Sequence, residues 1–490
     1  MSQYLAFDLG AESGRAILGT LSDSRLELEE LHRFPNIPVR LPQGLYWDTL
    51  RLWHEILQGL AIACRRRQVQ LNGIGVDTWG VDFALLGRDG SLVDNPRHYR
   101  DPRNRGMIER VTEVVPRQEI FRQTGIQFMQ LNTLCQLYAM KLAGAPALEV
   151  ATRLLFMPDL FNYWLSGAGC AEQTIASTSQ FYNPTERRWA TELLERLGLP
   201  VHILPEIVPA GTRLGEVTRV VVEETGVRPG TPVYATACHD TASAVAAVPA
   251  RGQDWCYISS GTWSLMGVEL DQPLINDESL RLNMTNEVGV AGKIRFLKNI
   301  AGLWPLQECR RAWALNGHEY SYGDLAELAA EARPFVAVLD PDQFLEPGRM
   351  PEKIAAYCQQ TGQPVPSEPA EMTRVILESL ALRYRQVLES LERLLGRSIS
   401  VIHIVGGGSR NRLLNQFAAD ATGKTVVAGP SEATAAGNIL VQAIGAGELP
   451  DLDAARSVVR ESFELQVFEP KDRSGWDSAY EKFCRLRGEV

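Results

Sequence analysis

The eight cysteines of this 490-residue chain (64, 135, 170, 238, 256, 309, 358 and 484) stand singly, with no CxxC and no zinc-ligand spacing. That pattern excludes a disulfide scaffold and a cysteine zinc site, and predicts reduced, mostly buried thiols. Positive charge is short as well: 49 Lys and Arg against 59 Asp and Glu give a formal net charge of −10. A nucleic-acid or anionic-membrane partner would need a basic field that the chain does not have. No apolar run reaches membrane-spanning length, and the first residues lack the basic and apolar regions of a signal peptide. The seven histidines form neither HxxxH nor HExxH, and no GxSxG elbow is present, so zinc hydrolysis and serine acyl transfer lack their residues. What remains is a cytoplasmic globular protein that binds any phosphate with a local device rather than a basic surface.

The length exceeds what one hydrophobic core supports, and the composition (45% hydrophobic, 22% charged) is that of a folded protein, so two domains are expected. "YLAFDL" (Tyr4 to Leu9) reads as a strand, Gly10 to Gly14 as a turn, and "RAILGTL" as a second strand. The alternation in "RLELEELHRF" predicts a third, half-exposed strand. Asp48 can cap a helix whose Leu50, Trp53, Leu57, Leu60 and Cys64 recur at helical spacing. After a short polar hinge, "AVPARGQD" (Ala247 to Asp254), the pattern restarts: "WCYISSGTWSLMGVEL" is again strand, small-residue turn, strand. A long amphipathic helix over "EMTRVILESLALRYRQVLESLERLLGR" leads into strand, glycine turn, helix and strand at 400–430. The fold class is α/β, with two halves, 1–248 and 249–490, that repeat one architecture. A cleft between two such domains is the expected ligand site.

The opening turn carries the first chemistry. Gly10 and Gly14 allow neighbouring N–H groups to converge on an anion, and Arg15 adds a fixed positive charge. Asp8 would repel a phosphate unless a hydrated Mg2+ lay between them; the bland alternative is a hairpin with an exposed Asp. "SSGTWS" (Ser259 to Ser264) repeats the device with hydroxyls, as a second phosphate clamp. "IVGGGSRN" follows a strand and opens a helix, so a nucleotide could approach its backbone. The GxGxxG spacing and the later acidic residue of a dinucleotide site are absent, which disfavours NAD. "TGKT" (Thr422 to Thr425) imitates a P-loop end but precedes a strand, and is set aside as coincidence.

"CHDTASAV" places His239, Asp240 and Thr241 between an apolar strand and a small-residue helix. Asp240 or Thr241 could simply cap that helix; the functional reading makes Asp240 a general base for a hydroxyl. A helix N-terminus is expected to lower its pKa, which phosphoryl transfer tolerates because the nucleophile needs orientation more than early deprotonation. In "VDTWGVDF", Trp79 offers an apolar floor for a sugar ring, Asp77 and Asp82 offer hydroxyl acceptors, and Gly80 lets the backbone come close. The alternative is that Trp79 belongs to the core.

Together these residues resemble the FGGY carbohydrate kinases, within the actin-like (ribonuclease H-like) superfold. The resemblance covers essentially the whole chain and rests on "DLGAESGR", "GVDTWGVDF", "YRD", "GIQFMQLNTL", "MPD", "HDTASAV", "SSGTWSLMG", "LKNIAGLWPLQ" and "HIVGGGSRN". It implies two actin-like domains with a cleft between them: an N-terminal one with the sugar site, first phosphate loop and catalytic Asp, and a C-terminal one with the second phosphate loop and adenosine site. It implies transfer of the ATP γ-phosphate to the 1-hydroxyl of L-rhamnulose; the rival on the same frame is a kinase for another ketose or a polyol, such as L-fuculose or L-xylulose. On this chain Asp240 looks like the catalytic base, and Gly80 with His239, Asp240 and Thr241 would line the ketose site. Ala11, Glu12, Ser13, Gly14 and Arg15 look like the first phosphate loop, and Thr262 like part of the second. Asn299, Gln307 and Gly407 look like further nucleotide contacts, and Asp8 like the residue holding Mg2+ through water. Glu12 stands where many relatives carry Ser or Thr, so its backbone N–H is the contact expected of it. A monomer or weak dimer is expected. The rival of another class is an actin-like ATPase without transferase activity.

Overall fold

The computed structural model describes residues 1–488 and divides the chain into two compact units. The first comprises Met1–Ala247, Glu269–Phe296 and Ala433–Ser462; the second takes Val248–Val268, Leu297–Glu432 and the described residues from Phe463 onward. A single division at 248/249 does not describe this packing, because 269–296 and 433–462 group with the first unit.

In the first unit, β1 (Ser2–Leu9), β2 (Ser13–Ser22) and β3 (Arg25–Pro35) form an antiparallel meander. β4 (Gly73–Thr78) lies parallel to β1, with Asp77 in register beside Asp8. β5 (Thr212–Glu216) and β6 (Pro232–Ala235) complete a sheet of order β5-β6-β4-β1-β2-β3. Helix α1 (Thr49–Ala61) starts where the Asp48 side chain accepts from the Arg51 N–H. Its fully buried residues include Leu52, Ile56 and Leu60, with Trp53, Leu57 and Cys64 partly buried beside them; of the predicted row only Leu50 is exposed. These residues pack with Leu5, Phe7, Ile74 and Val76 in one apolar cluster. Full burial of each such side chain contributes about 1.5–3 kcal/mol.

The second unit repeats the plan. β7 (Trp255–Ser260) and β8 (Ser264–Leu270) form an antiparallel hairpin. β9 (Thr285–Val288), which groups with the first unit, pairs beside β10 (Ile294–Ile300), whose first residues group there too. β11 (Val401–Val405), β12 (Thr425–Ala428) and β13 (Gln466–Phe468) then give the order β10-β8-β7-β11-β12-β13. Strand for strand this matches β3-β2-β1-β4-β6-β5. The pairing senses match as well: β1/β4 and β7/β11 are parallel, β4/β6 and β11/β12 are parallel, and the edge strands β5 and β13 are antiparallel to their neighbours. The expected α/β duplication is therefore present in the topology.

The helices used below are α1, α2 (Gln173–Ala176), α3 (Asp240–Ala246) and α7 (Ala433–Gly445) in the first unit, and α4 (Trp304–Leu315), α5 (Pro369–Leu395) and α6 (Arg412–Thr422) in the second. Small residues let α3 and α7 touch: a Cβ on Gly437 would run into the Ser243 carbonyl oxygen. "TGKT" lies at the C-terminus of α6, where Gly423 has a φ of +69° and Lys424 pairs with Glu392 at 2.7 Å. A phosphate-binding lysine would instead face a helix N-terminus. Among the described residues no disulfide joins the cysteines, and no helix is long and apolar enough to cross a membrane.

Candidate active site

In the first unit, β1 and β2 close around a tight turn. Gly10 N–H donates to Ser13 O at 2.9 Å, and Asn36 holds the turn from outside, its N–H to Glu12 O and its Nδ2 to Gly10 O, both 2.9 Å. Ala11 and Ser13 are half-buried, Glu12 is exposed and Gly14 is buried. Asp8 and Arg15, predicted to serve a metal and a phosphate, form an ion pair with one another. Their side chains face across neighbouring strands in register.

Asp240 is the first residue of α3, and its side chain keeps 29% of its exposure. Oδ1 accepts from Thr241 N at 2.5 Å and from Thr241 Oγ1 at 3.1 Å; no hydrogen bond occupies Oδ2 among the described residues. Burial pushes the Asp240 carboxyl above its ordinary range, and the Asp8 charge adds to it, outweighing His239 and the two Thr241 donations. The expected lowering by a helix N-terminus is thus reversed: α3 is only seven residues long, and desolvation dominates.

The backbone leading into Asp240 is gripped by a residue that sequence reasoning missed. Glu172 is fully buried and caps α2, accepting from Thr174 N at 2.8 Å and Ile175 N at 3.2 Å. It also accepts from Cys238 N at 3.1 Å, while Thr174 Oγ1 accepts from His239 N at 3.1 Å. Burial raises the Glu172 pKa to about 7 despite these donors. His239 then lies with Nε2 3.4 Å from Asp240 Oδ1. A Cβ added to Gly80 would sit 3.3 Å from that same nitrogen, so glycine gives the imidazole edge its room.

Asp82 and Trp79 are placed differently from expectation. Asp82 is fully buried and already satisfied: Oδ2 accepts from Trp47 Nε1 (2.6 Å), Trp79 Nε1 (3.0 Å) and Tyr99 N (3.1 Å), and Oδ1 from Gln136 Nε2 (2.8 Å). Burial still lifts it to about 6. It organises the protein rather than offering a free acceptor. Trp79 stacks against Trp47 with ring centroids 3.9 Å apart, so the core alternative describes it. Asp77 is also buried: Oδ2 accepts from Asn438 Nδ2 of α7 at 2.6 Å. Burial, Asp8 and Asp240 drive its pKa well up against that donation.

In the second unit, the turn after β7 is held by the start of α4. Leu303 N donates to Gly261 O and Trp304 N to Thr262 O, each at 3.1 Å. Thr262 Oγ1 accepts from Gln307 Nε2 at 3.1 Å, which brings two predicted nucleotide residues together. Asn299 is half-buried on β10, the strand that runs into this corner. Gly407 opens a 3-10 turn after β11, and Asn411 Oδ1 then accepts from Leu414 N to start α6.

Asn438, Glu172, Glu287 and Arg295 are the site groups that sequence reasoning did not single out. Asn438 and Gln442 do leave a signal, as i, i+4 polar residues in the otherwise apolar "ATAAGNILVQAIG", joined by a 2.7 Å hydrogen bond. Glu287 and Arg295 are buried charges on neighbouring strands, Glu287 in "TNEV" and Arg295 in "IRFLKNI".

Comparison with known proteins agrees with this layout. Residues 3–247 match the N-terminal domain model of the FGGY family of carbohydrate kinases, and residues 256–446 match its C-terminal domain model. The chain is 46% identical over 482 residues to a rhamnulokinase of Bacteroides thetaiotaomicron, covering 98% of each. It is 40% identical to a rhamnulokinase of Oceanobacillus iheyensis, covering 95% of this chain and 97% of that one. In fold it is similar to a ligand-bound xylulose kinase from Lactobacillus acidophilus, with a TM-score of 0.81 at 15% identity over 100% of this chain and 98% of that one. Plasmodium falciparum glycerol kinase with ADP gives 0.78 at 15% identity, with the same coverage.

Proposed function

This chain belongs to the FGGY family of carbohydrate kinases, and we propose that it transfers the γ-phosphate of ATP to the 1-hydroxyl of L-rhamnulose, giving L-rhamnulose 1-phosphate and ADP. The observation that carries the chemistry is Asp240: a half-buried carboxylate whose Oδ1 is tied to Thr241 and whose Oδ2 is left to take a proton. Its raised pKa makes the ionised form a stronger base than an ordinary Asp. Phosphoryl transfer passes through a loose transition state, so the main task of Asp240 is to aim the hydroxyl oxygen along the line of transfer.

Sugar-side contacts are assigned to Gly80, His239, Asp240 and Thr241, with Trp79 and Asp82 shaping the wall behind them. Nucleotide contacts are assigned to residues 11–15 in the first unit and to Thr262, Asn299, Gln307 and Gly407 in the second. Asp8 is paired with Arg15 and lies close enough to Asp77 and Asp240 to raise the pKa of both. Asp8 would hold a Mg2+ ion, which would supply neutralisation of the phosphate charge.

The test is sugar-dependent ADP release from MgATP across L-rhamnulose, L-fuculose, L-xylulose, D-xylulose and glycerol. Preference for L-rhamnulose is expected. Preference for another acceptor would keep Asp240 and overturn the sugar assignment. ADP release that ignores every sugar would overturn the transferase reading.

A further inference from the structure

Behind His239 lies a buried charge pair from the hairpin of β9 and β10. Arg295 is fully buried, and its Nε donates to Val288 O at 3.1 Å, which fixes the plane of the guanidinium. Its Nη2 lies 3.1 Å from Glu287 Oε2 and 3.0 Å from His239 Nδ1. Glu287 Oε2 is 3.4 Å from the same Nδ1, beyond the Arg295 contact.

We propose that Arg295, anchored by Glu287, is a positioning residue that fixes His239 as the neutral Nε2–H tautomer and makes it a hydrogen-bond donor to a sugar oxygen next to the reacting hydroxyl. The inference rests on the reading of His239 and Asp240 as sugar-side groups. A guanidinium has donors only, so the nitrogen it touches must accept and carries no proton. Protonating Nδ1 would set N–H against N–H and place a second cation beside Arg295 in a fully buried spot. Glu287 balances the Arg295 charge, so the ring needs no charge of its own.

The root of the ring is held at the same time. The His239 N–H donates to Thr174 Oγ1, and the preceding Cys238 N–H to Glu172. With Nδ1 engaged, the proton on Nε2 points along the side of Asp240 and Gly80. Asp240 Oδ1 there already has both Thr241 donors, and the absence of a Cβ at Gly80 leaves room for a substrate atom. The site thus presents one donor, His239 Nε2, and one acceptor, Asp240 Oδ2. His239 cannot double as the base, because its lone pair is turned away towards Arg295.

The experiment uses the full chain with 15N-labelled histidine, the His239 signals being identified by their loss in His239→Gln. The expected wild-type spectrum has a pyridine-type Nδ1 and a pyrrole-type Nε2. The paired variant Arg295→Met with Glu287→Met removes both charges together, so neither is left buried alone. It should lose the pyridine-type Nδ1 signature and raise the KM for L-rhamnulose at least about tenfold, with the KM for ATP unchanged. A protonated Nδ1 in the wild type, or an unchanged sugar KM in a folded paired variant, would overturn the proposal. Should the paired variant fail to fold, the wild-type spectrum decides alone. Active wild type with a protonated Nδ1 sinks the tautomer assignment and leaves the kinase reading standing. The expected tautomer without turnover on any sugar sinks the kinase reading instead.

Discussion

The turn after β1 and the turn after β7 occupy the same place in two sheets of the same topology, yet their chemistry differs. Two residues before Gly10 stands Asp8, with Asp77 beside it on the parallel strand; two residues before Gly261 stands Ser259, with Val405 beside it. The duplicated frame supplies the same device twice, a glycine turn between antiparallel strands with N–H groups to offer. Only the first copy surrounds it with carboxylates, the Asp8–Asp77–Asp240 group, with His239 next to Asp240. The second copy is built from hydroxyls and amides, Thr262 joined to Gln307. The two turns thus share their backbone geometry and differ in the charge of the side chains around them.

The sharpest way to break that contrast is to neutralise the reacting end alone. Asp240→Asn keeps the size of the side chain and the Oδ1 acceptor for Thr241 but removes the proton acceptor. Turnover should fall about 100- to 10,000-fold, measured as L-rhamnulose-dependent ADP release, with ATP binding retained. Substantial residual turnover would mean that the first unit's charges organise rather than react.

The contrast also explains what the sequence made legible. The strand-turn-strand units, the Asp48 cap and the long α5 helix, which ends at Gly396 in the left-handed region, are local features, and local patterning shows them. His239, Asp240 and Gly80 were legible because a polar triplet before a small-residue helix, and a glycine amid Trp and Asp, are unusual. The pKa of Asp240 was not, since desolvation depends on everything packed around it. Asp82 and Trp79 looked like sugar contacts because a lone acid and an indole in a strand read alike whether they face ligand or core. Glu172, Glu287, Arg295 and Asn438 were illegible for a third reason: each is distant in sequence from the residue it contacts, and only the fold sets them side by side.

Next in size is a stability effect confined to the first copy. The folded-state pKa of Asp82 rises from 3.8 to about 6, so the folded chain holds this proton where the unfolded chain has lost it. Stability from this group is therefore full at low pH and lost as pH rises from about 4 through about 6; the span corresponds to roughly 3 kcal/mol. Asp82→Asn does not titrate. Its denaturant midpoint should fall less than the wild type's between pH 4.5 and pH 7. Parallel curves would show that Asp82 is not the titrating group.

Asp8→Ser gives the first turn the residue of the second. If Asp8 acts through water, apparent Mg2+ affinity should drop about 10- to 100-fold. Removing its charge also lowers the Asp240 pKa, so the acid limb of the kcat/KM profile should move to lower pH. An unmoved limb together with an unchanged Mg2+ requirement would separate Asp8 from both roles.

The smallest effect belongs to the neutral copy. Thr262→Val keeps the shape of the side chain and deletes the hydroxyl that accepts from Gln307 Nε2, leaving an amide whose buried Oε1 already has no partner with nothing at its other end. One neutral hydrogen bond is worth about 1 kcal/mol, so the KM for ATP should rise about fivefold while the KM for L-rhamnulose stays put. Thr262→Ser should restore it. If the sugar KM moved instead, the hydroxyl turn would belong to the reacting end, and the division of labour between the two copies would fail at the point where the side chains differ most.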